Sequence, residues 1–212
     1  MIPKKGQTIL VVSPHTDDAE LGCGASIARF ISERHRVLYA SFSLCKDSLP
    51  AGYAADTLEK EVKRATAKLG IDKNDLLLFD YPVRRFGEYR QAILDDLVQL
   101  NKKFKPAKVF IPASTDIHQD HGIIHTEALR AFKYCTIYGY EMPWNNFSFA
   151  GTTFISVNRR QLDKKVVALA QYQSQQHRSY MQPSFIESLA TVRGVQSGVI
   201  YAECFETIRS VV

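Results

Sequence analysis

The feature that most constrains this chain is a regular exchange of short apolar runs with segments of helical period, sustained over its first two-thirds. The run Thr8–Ser13 predicts a buried strand, residues 19–33 a helix, and residues 35–44 a second strand followed by a polar loop over 45–55. Residues 56–69 predict a helix with Asp56 as its N-cap and Gly70 as its stop. A third strand is expected over 75–81, a helix over 89–104, and a fourth strand over 107–112, entered through Pro106. A further helix is expected from near Gly122 to about Tyr134. Beyond Thr152 the pattern thins to a strand over 152–157, helices over 160–173 and 184–193, and a last strand over 199–207. Strands alternating with helices in this way bury both faces of a parallel sheet beneath helices. The expected fold is therefore α/β and Rossmann-like: a mostly parallel sheet with helices on both faces, a single domain over residues 1–212. Such sheets bind ligands beyond the carboxyl ends of their strands, where the strand order reverses, which points to the turns after Ser13 and after Pro112.

Composition narrows the function classes. The basic stretch from Met1 to Gly6 precedes an apolar run too short for a signal-peptide core, and nothing approaches the ~20 apolar residues of a membrane helix. The reading is cytoplasmic, without stable membrane insertion. Cys23, Cys45, Cys135 and Cys204 lie far apart with no Cys-x-x-Cys pair, which fits reduced thiols. A net charge of +5 suits an anionic small partner. Nucleic acid is not expected, because lysines and arginines are interspersed with acids and cluster no further than pairs such as Lys102-Lys103 and Lys164-Lys165.

The first of the two turns reads Ser13-Pro14-His15-Thr16-Asp17-Asp18-Ala19-Glu20-Leu21-Gly22. Adjacent carboxylates repel, so Asp17 and Asp18 either share a cation or a proton or cap the helix that follows. The second reads Ser114-Thr115-Asp116-Ile117-His118-Gln119-Asp120-His121-Gly122, with His125 just beyond. Together they offer nitrogen and oxygen ligands and no thiolate, the donor set of a catalytic zinc with an open position. His121 and His125 have the spacing of a metalloprotease helix, but Gly122 stands where that motif needs its Glu. Gly22-x-Gly24 lacks the third glycine of a dinucleotide loop, Ile27 holding that position, and reads as close helix–strand packing.

The stretches Pro-His-Thr-Asp-Asp-Ala-Glu-Leu-Gly-Cys-Gly (14–24) and His-Gln-Asp-His (118–121) resemble the two signature motifs of the LmbE-like, or PIG-L, family of zinc-dependent sugar N-deacetylases. Glu61, Ala65, Leu69 and Gly70, and the stretch from Ala168 to Gln175, resemble further segments of that family. The resemblance implies a Zn2+ ion held by His15, Asp18 and His121, with Asp17 as general base. It makes His118 the stabiliser of the oxyanion and proton donor, with Asp120 orienting its ring. The substrate it implies is an N-acetylglucosamine-type amino sugar or conjugate, phosphate- or nucleotide-linked forms among them, and self-association is left open. Two positions depart from the family pattern: Thr16 replaces the usual Pro, and Leu58 stands where many members carry Arg. Arg85 and Arg178 are the substrate-binding candidates in its place, with Arg90 considered beside them. The aromatic stretch from Tyr138 to Trp144 suits either a sugar pocket or the core. Competing readings are a zinc amidase for another amide, such as a thiol conjugate, and a non-catalytic sugar- or nucleotide-binding protein.

Overall fold

In the computed structural model, which describes residues 6–211, Ile9, Leu10, Val11 and Val12 are each no more than 1% exposed. A strand buried on both faces has to lie inside a sheet, and β1 (Thr8–Ser13) does. Beside it stand β2 (Arg36–Ser41), β3 (Leu76–Leu78), β4 (Lys108–Pro112), β5 (Thr136–Tyr140), β6 (Thr153–Val157) and β7 (Tyr201–Arg209), in the order β3-β2-β1-β4-β5-β7-β6. The pairs from β3 through β5 are parallel. β7 runs antiparallel to both β5 and β6.

The alternation of side chains along β1 sorts the core into two layers. Ile9 and Val11 face α1 (Asp18–Ser32), α2 (Thr57–Leu69), α5 (Arg159–Leu169) and α6 (Pro183–Ser197). Leu10 and Val12 face α3 (Arg90–Phe104) and α4 (Gln119–Ala131). The sheet is thus mostly parallel with helices on both faces, as expected. Its first two-thirds follow the predicted order, with one strand unforeseen. β5 is five residues long, contains Gly139, and overlaps at residues 138–140 the aromatic stretch that offered only pocket or core. The third strand is shorter than the apolar run suggested, at Leu76–Leu78. Asp56 occupies the N-cap position of α2 but its carboxylate pairs with Lys60 at 2.6 Å and makes no capping bond. Gly70 ends α2 with φ of 99°, as a left-handed stop should. The basic residues before Gly6 lie outside the described residues.

α1 is broken at Cys23, where φ is −147°. The break strands a carbonyl and two amides, and two buried charges from distant elements take them up. Lys165 Nζ donates to Leu21 O and to Glu203 Oε1, each at 2.6 Å. Glu203 accepts from the amides of Ala25 at 3.1 Å and Ser26 at 2.6 Å. Around this break Gly22-x-Gly24 does the close packing read from the sequence. A Cβ on Gly22 would come within 2.4 Å of the Tyr140 ring, and one on Gly24 within 3.0 Å of Lys165 Cγ. Tyr140 is tied by its hydroxyl to Val12 O at 3.0 Å and has little room to retreat. Gly22→Ala is accordingly expected to cost ~1–3 kcal/mol, the usual range for overpacking. Thermal unfolding measures it, and an unchanged midpoint would show that Tyr140 yields freely.

Candidate active site

β1 and β4 are neighbours, and the chain winds away from them in opposite directions, so the turns after Ser13 and Pro112 open into one crevice. In the first turn Ser13 does the capping: its Oγ accepts from Ala19 N at 3.0 Å and donates to His15 O at 2.5 Å. Asp17 makes no side-chain capping bond, and Asp18 Oδ2 turns back to accept from His15 N at 2.8 Å. Both carboxylates are therefore left for other work. In the second turn His118 caps α4, its Nδ1 accepting from Asp120 N at 3.2 Å, which starts that helix three residues earlier than expected.

The turns bring three donor atoms together. Asp18 Oδ2 lies 3.1 Å from His15 Nδ1 and 3.1 Å from His121 Nε2, and the two nitrogens are 3.2 Å apart. A tetrahedral cation with bonds of ~2.0–2.1 Å requires donors about 3.3 Å apart, so the residues fit a divalent metal. The outer ring nitrogens complete the test. His15 Nε2 meets Asp120 Oδ2 at 3.0 Å, and His121 Nδ1 meets Asp116 Oδ2 at 2.7 Å. Each carboxylate keeps a proton on the outer nitrogen and leaves the inner one with its lone pair. His118 also brings a ring nitrogen within 4.8 Å of those of His15 and His121. Asp18 is the better third donor, because it touches both rings while His118 Nδ1 is already engaged by Asp120 N.

Two expectations need correction. Asp120 does not orient His118 through its carboxylate; that group holds His15 and accepts from the amides of Arg84 at 2.6 Å and Phe86 at 3.3 Å. Placed at the second residue of α4, it is Asp120's backbone N–H that reaches His118. Arg85 does not reach the cavity: it turns outward to Glu88, three residues on, at 2.6 Å. The neighbouring Arg84, held at φ of 65°, faces the cavity instead. Arg90 pairs with Glu127 on α4. Arg178 and Trp144 do line the cavity, of about 620 Å³, into which Asp17, Asp18 and the three histidines open. His125 points away, its Nδ1 on Pro112 O at 2.9 Å.

Most other residues of the site stood inside the quoted turns and family-like segments, but the sequence assigned them no role. Asp116 also accepts from His118 N at 2.9 Å, so one carboxylate sets both histidines of the turn. The hydroxyls of Tyr39 and Tyr172 each sit between Glu20 and Thr16 O, the latter at 2.7 and 2.6 Å, so Glu20, Thr16 and the two tyrosines form one buried network. Glu61 accepts from Ser174 N at 3.0 Å and Ser174 Oγ at 2.6 Å, which fixes the loop that presents Gln175 to the cavity.

Electrostatics separate the two neighbouring acids. Burial pushes the Asp17 carboxyl up to about 6, helped by the charge of Asp18. Asp18 is buried more deeply, yet His121 and His15 outweigh that and hold it well below the usual carboxylate range. Burial opposes charge on His121 as well, but Asp18 and Asp116 carry it up to about 10, so its inner nitrogen holds a proton that a bound cation would displace. Burial together with the other two histidines lowers His118 to about 4. Asp18 is thus the charged partner at the donor set, and Asp17 is poised for proton transfer near neutrality.

The family model described as GlcNAc-PI de-N-acetylase, PIG-L, matches residues 10–132. An Escherichia coli (strain K12) protein described as the uncharacterized deacetylase YaiS is 29% identical over 175 residues, covering 80% of this chain and 92% of that protein. The N,N'-diacetylchitobiose deacetylase of Pyrococcus horikoshii superposes with a TM-score of 0.78 at 19% identity, over 97% of this chain and 85% of its own. GalB, the 4-carboxy-2-hydroxymuconate hydratase of Pseudomonas putida KT2440, superposes with a TM-score of 0.81 at 20% identity, over 97% and 98%. At these identities the two structures attest the fold alone, and a deacetylase and a hydratase on one scaffold show that the reaction has to be argued from the site. With both turns inside the matched span, this chain belongs to the PIG-L, or LmbE-like, family.

Proposed function

We propose that the protein is a zinc-dependent deacetylase that hydrolyses the acetamide of an N-acetylglucosamine-type amino sugar, releasing acetate. The observation that carries this reading is the pairing of a three-atom donor set with a second, half-buried acid, Asp17, that is not part of it and opens into the same cavity. His15, Asp18 and His121 would hold the metal. When bound, a divalent cation there supplies Lewis acidity, polarising the amide carbonyl and making water acidic enough to attack near pH ~7.

The chain's own groups do the rest. Asp17 accepts the proton of the attacking water as its oxygen bonds to the carbonyl carbon. Because His118 Nδ1 accepts a backbone amide, its Nε2 carries the ring proton, and the neutral imidazole donates that N–H to the developing oxyanion. This role needs no imidazolium, in keeping with the lowered pKa of the ring. As the C–N bond breaks, Asp17 returns its proton to the leaving amine, a donor role that the resemblance gives to His118, leaving acetate and the free amino sugar. Among the described residues no helix is long and apolar enough to cross a membrane. The reading takes the whole chain as one catalytic domain working on a small molecule in the cytoplasm.

Protein purified without chelators is expected to carry about one divalent metal per chain by elemental analysis. Its removal should abolish acetate release, and added zinc should restore it. Metal-free protein with full activity would sink the metal reading. A panel of N-acetylated sugars, amino acids and peptides tests the substrate. Sugars are expected to release acetate, and equal cleavage of acetylated peptides would overturn the substrate class.

A further inference from the structure

Thr16 stands between His15 and Asp17, at the position where the family pattern has proline. Without that ring its own backbone is less restrained, yet its carbonyl is held from two sides. The hydroxyl of Tyr39, on β2, lies 2.7 Å from Thr16 O, and that of Tyr172, just after α5, lies 2.6 Å from it. A carbonyl oxygen only accepts, and its two lone pairs have room for both hydroxyls. Glu20, in the first turn of α1, braces the pair from behind: its Oε1 lies 2.9 Å from the Tyr172 hydroxyl, and its Oε2 meets that of Tyr39. Thr16 is 1% exposed, and Glu20 and both tyrosines are fully buried, so water does not compete for these bonds.

What the two hydroxyls control follows from the peptide they hold. The C=O of Thr16 and the N–H of Asp17 belong to one planar unit, so a fixed carbonyl fixes the amide with it. Asp17 makes no side-chain capping bond, and the main-chain group acting on its carboxylate is its own amide. The direction of that carboxylate into the cavity is therefore set by the peptide behind it. His15 and Asp18 have other supports, in each other, in His121 and in Asp120.

We infer that Tyr39 and Tyr172, braced by Glu20, are positioning residues: by clamping the Thr16–Asp17 peptide they aim the Asp17 carboxylate at the attacking water, touching neither substrate nor metal. Tyr172 comes from beyond residues 10–132, so the clamp ties the second half of the chain to the first turn. The inference rests on the role of base proposed above for Asp17.

The test is a double-mutant cycle. Tyr172→Phe and Tyr39→Phe each keep the ring and remove one hydroxyl, and each is made in the native protein and in Asp17→Asn. Acetate release from N-acetylglucosamine, metal content and circular dichroism are measured for all of them. In the native background Tyr172→Phe is expected to lower kcat by ~10- to 100-fold, the effect of a misplaced catalytic group, with KM and metal content unchanged. In Asp17→Asn, where no base is left to aim, the same change should cost less than ~2-fold. Tyr39→Phe should repeat the pattern, and it decides if Tyr172→Phe does not fold. A loss of equal factor in both backgrounds, a loss carried by KM or by metal, or no loss at all overturns the inference and leaves the deacetylase reading standing. If N-acetylglucosamine releases no acetate, or Asp17→Asn keeps the native rate, that reading fails and the crystal structure of the folded tyrosine variant decides. A turned Thr16–Asp17 peptide with a displaced Asp17 carboxylate upholds the clamp, and a native conformation there overturns it.

Discussion

Asp17→Asn should lower kcat by ~10²- to 10⁴-fold, the usual worth of a positioned general base, while the protein keeps its metal. The amide is isosteric with the carboxylate, and Asp17 contributes no atom to the donor set. Asp18→Asn should do the reverse to the metal. Its Oδ2 sits 3.1 Å from both ligand nitrogens, so a charged ligand becomes neutral and affinity falls. Metal content measured beside steady-state kinetics separates the two. If Asp17→Asn strips the metal while Asp18→Asn retains it, base and ligand are exchanged. If neither variant changes metal or rate, the turn is only the start of a helix and the active site lies elsewhere.

The largest effect on stability is expected at Lys165. Its ammonium is 5% exposed by residue and is spent on Leu21 O and Glu203. Lys165→Met leaves Glu203 charged and buried with only the two amides of the helix break, and removes the donor from Leu21 O. Losing one partner of a buried pair costs ~3–5 kcal/mol, which for a chain of this size lowers Tm by roughly 6–20 °C. Thermal unfolding at matched metal content measures it. A drop of a degree or two would mean that water enters the break and replaces the ammonium.

The fold was legible wherever local pattern and final environment agree. A run such as Ile9 to Val12 has no polar side chain to offer water, and its shortness and β-branched residues make it a buried strand rather than a helix. Gly70 can only be a stop, since its conformation excludes most side chains. β5 was missed because Thr136–Tyr140 holds Gly139 among aromatics, and pairing with β4 and β7 overrides its weak strand signal. The break in α1 left no trace in periodicity, since the groups that sustain it, Lys165 and Glu203, come from far along the chain. The same distinction divides the site. The ligating types stood in two short turns, and their placement at adjacent strand ends follows from the alternation. Which acid orients which histidine did not follow. The resemblance implied Asp120 as the support of His118 and gave Asp116 no role, and only the path of the loop at 79–89 brings Arg84 and Phe86 against Asp120.

That loop holds the carboxylate behind His15 through main-chain amides, and main-chain amides are supplied by any residue except proline. The side chain at position 84 can therefore change, among residues that accept its φ of 65°, without removing that amide, whereas Phe86 is fully buried against His15 and Tyr81 and is not free to change. The length of the loop has no such freedom, because one residue inserted or removed would carry both amides out of reach. Altered specificity at this wall should come from point substitutions, and loop exchange between relatives should succeed only where the backbone path is shared.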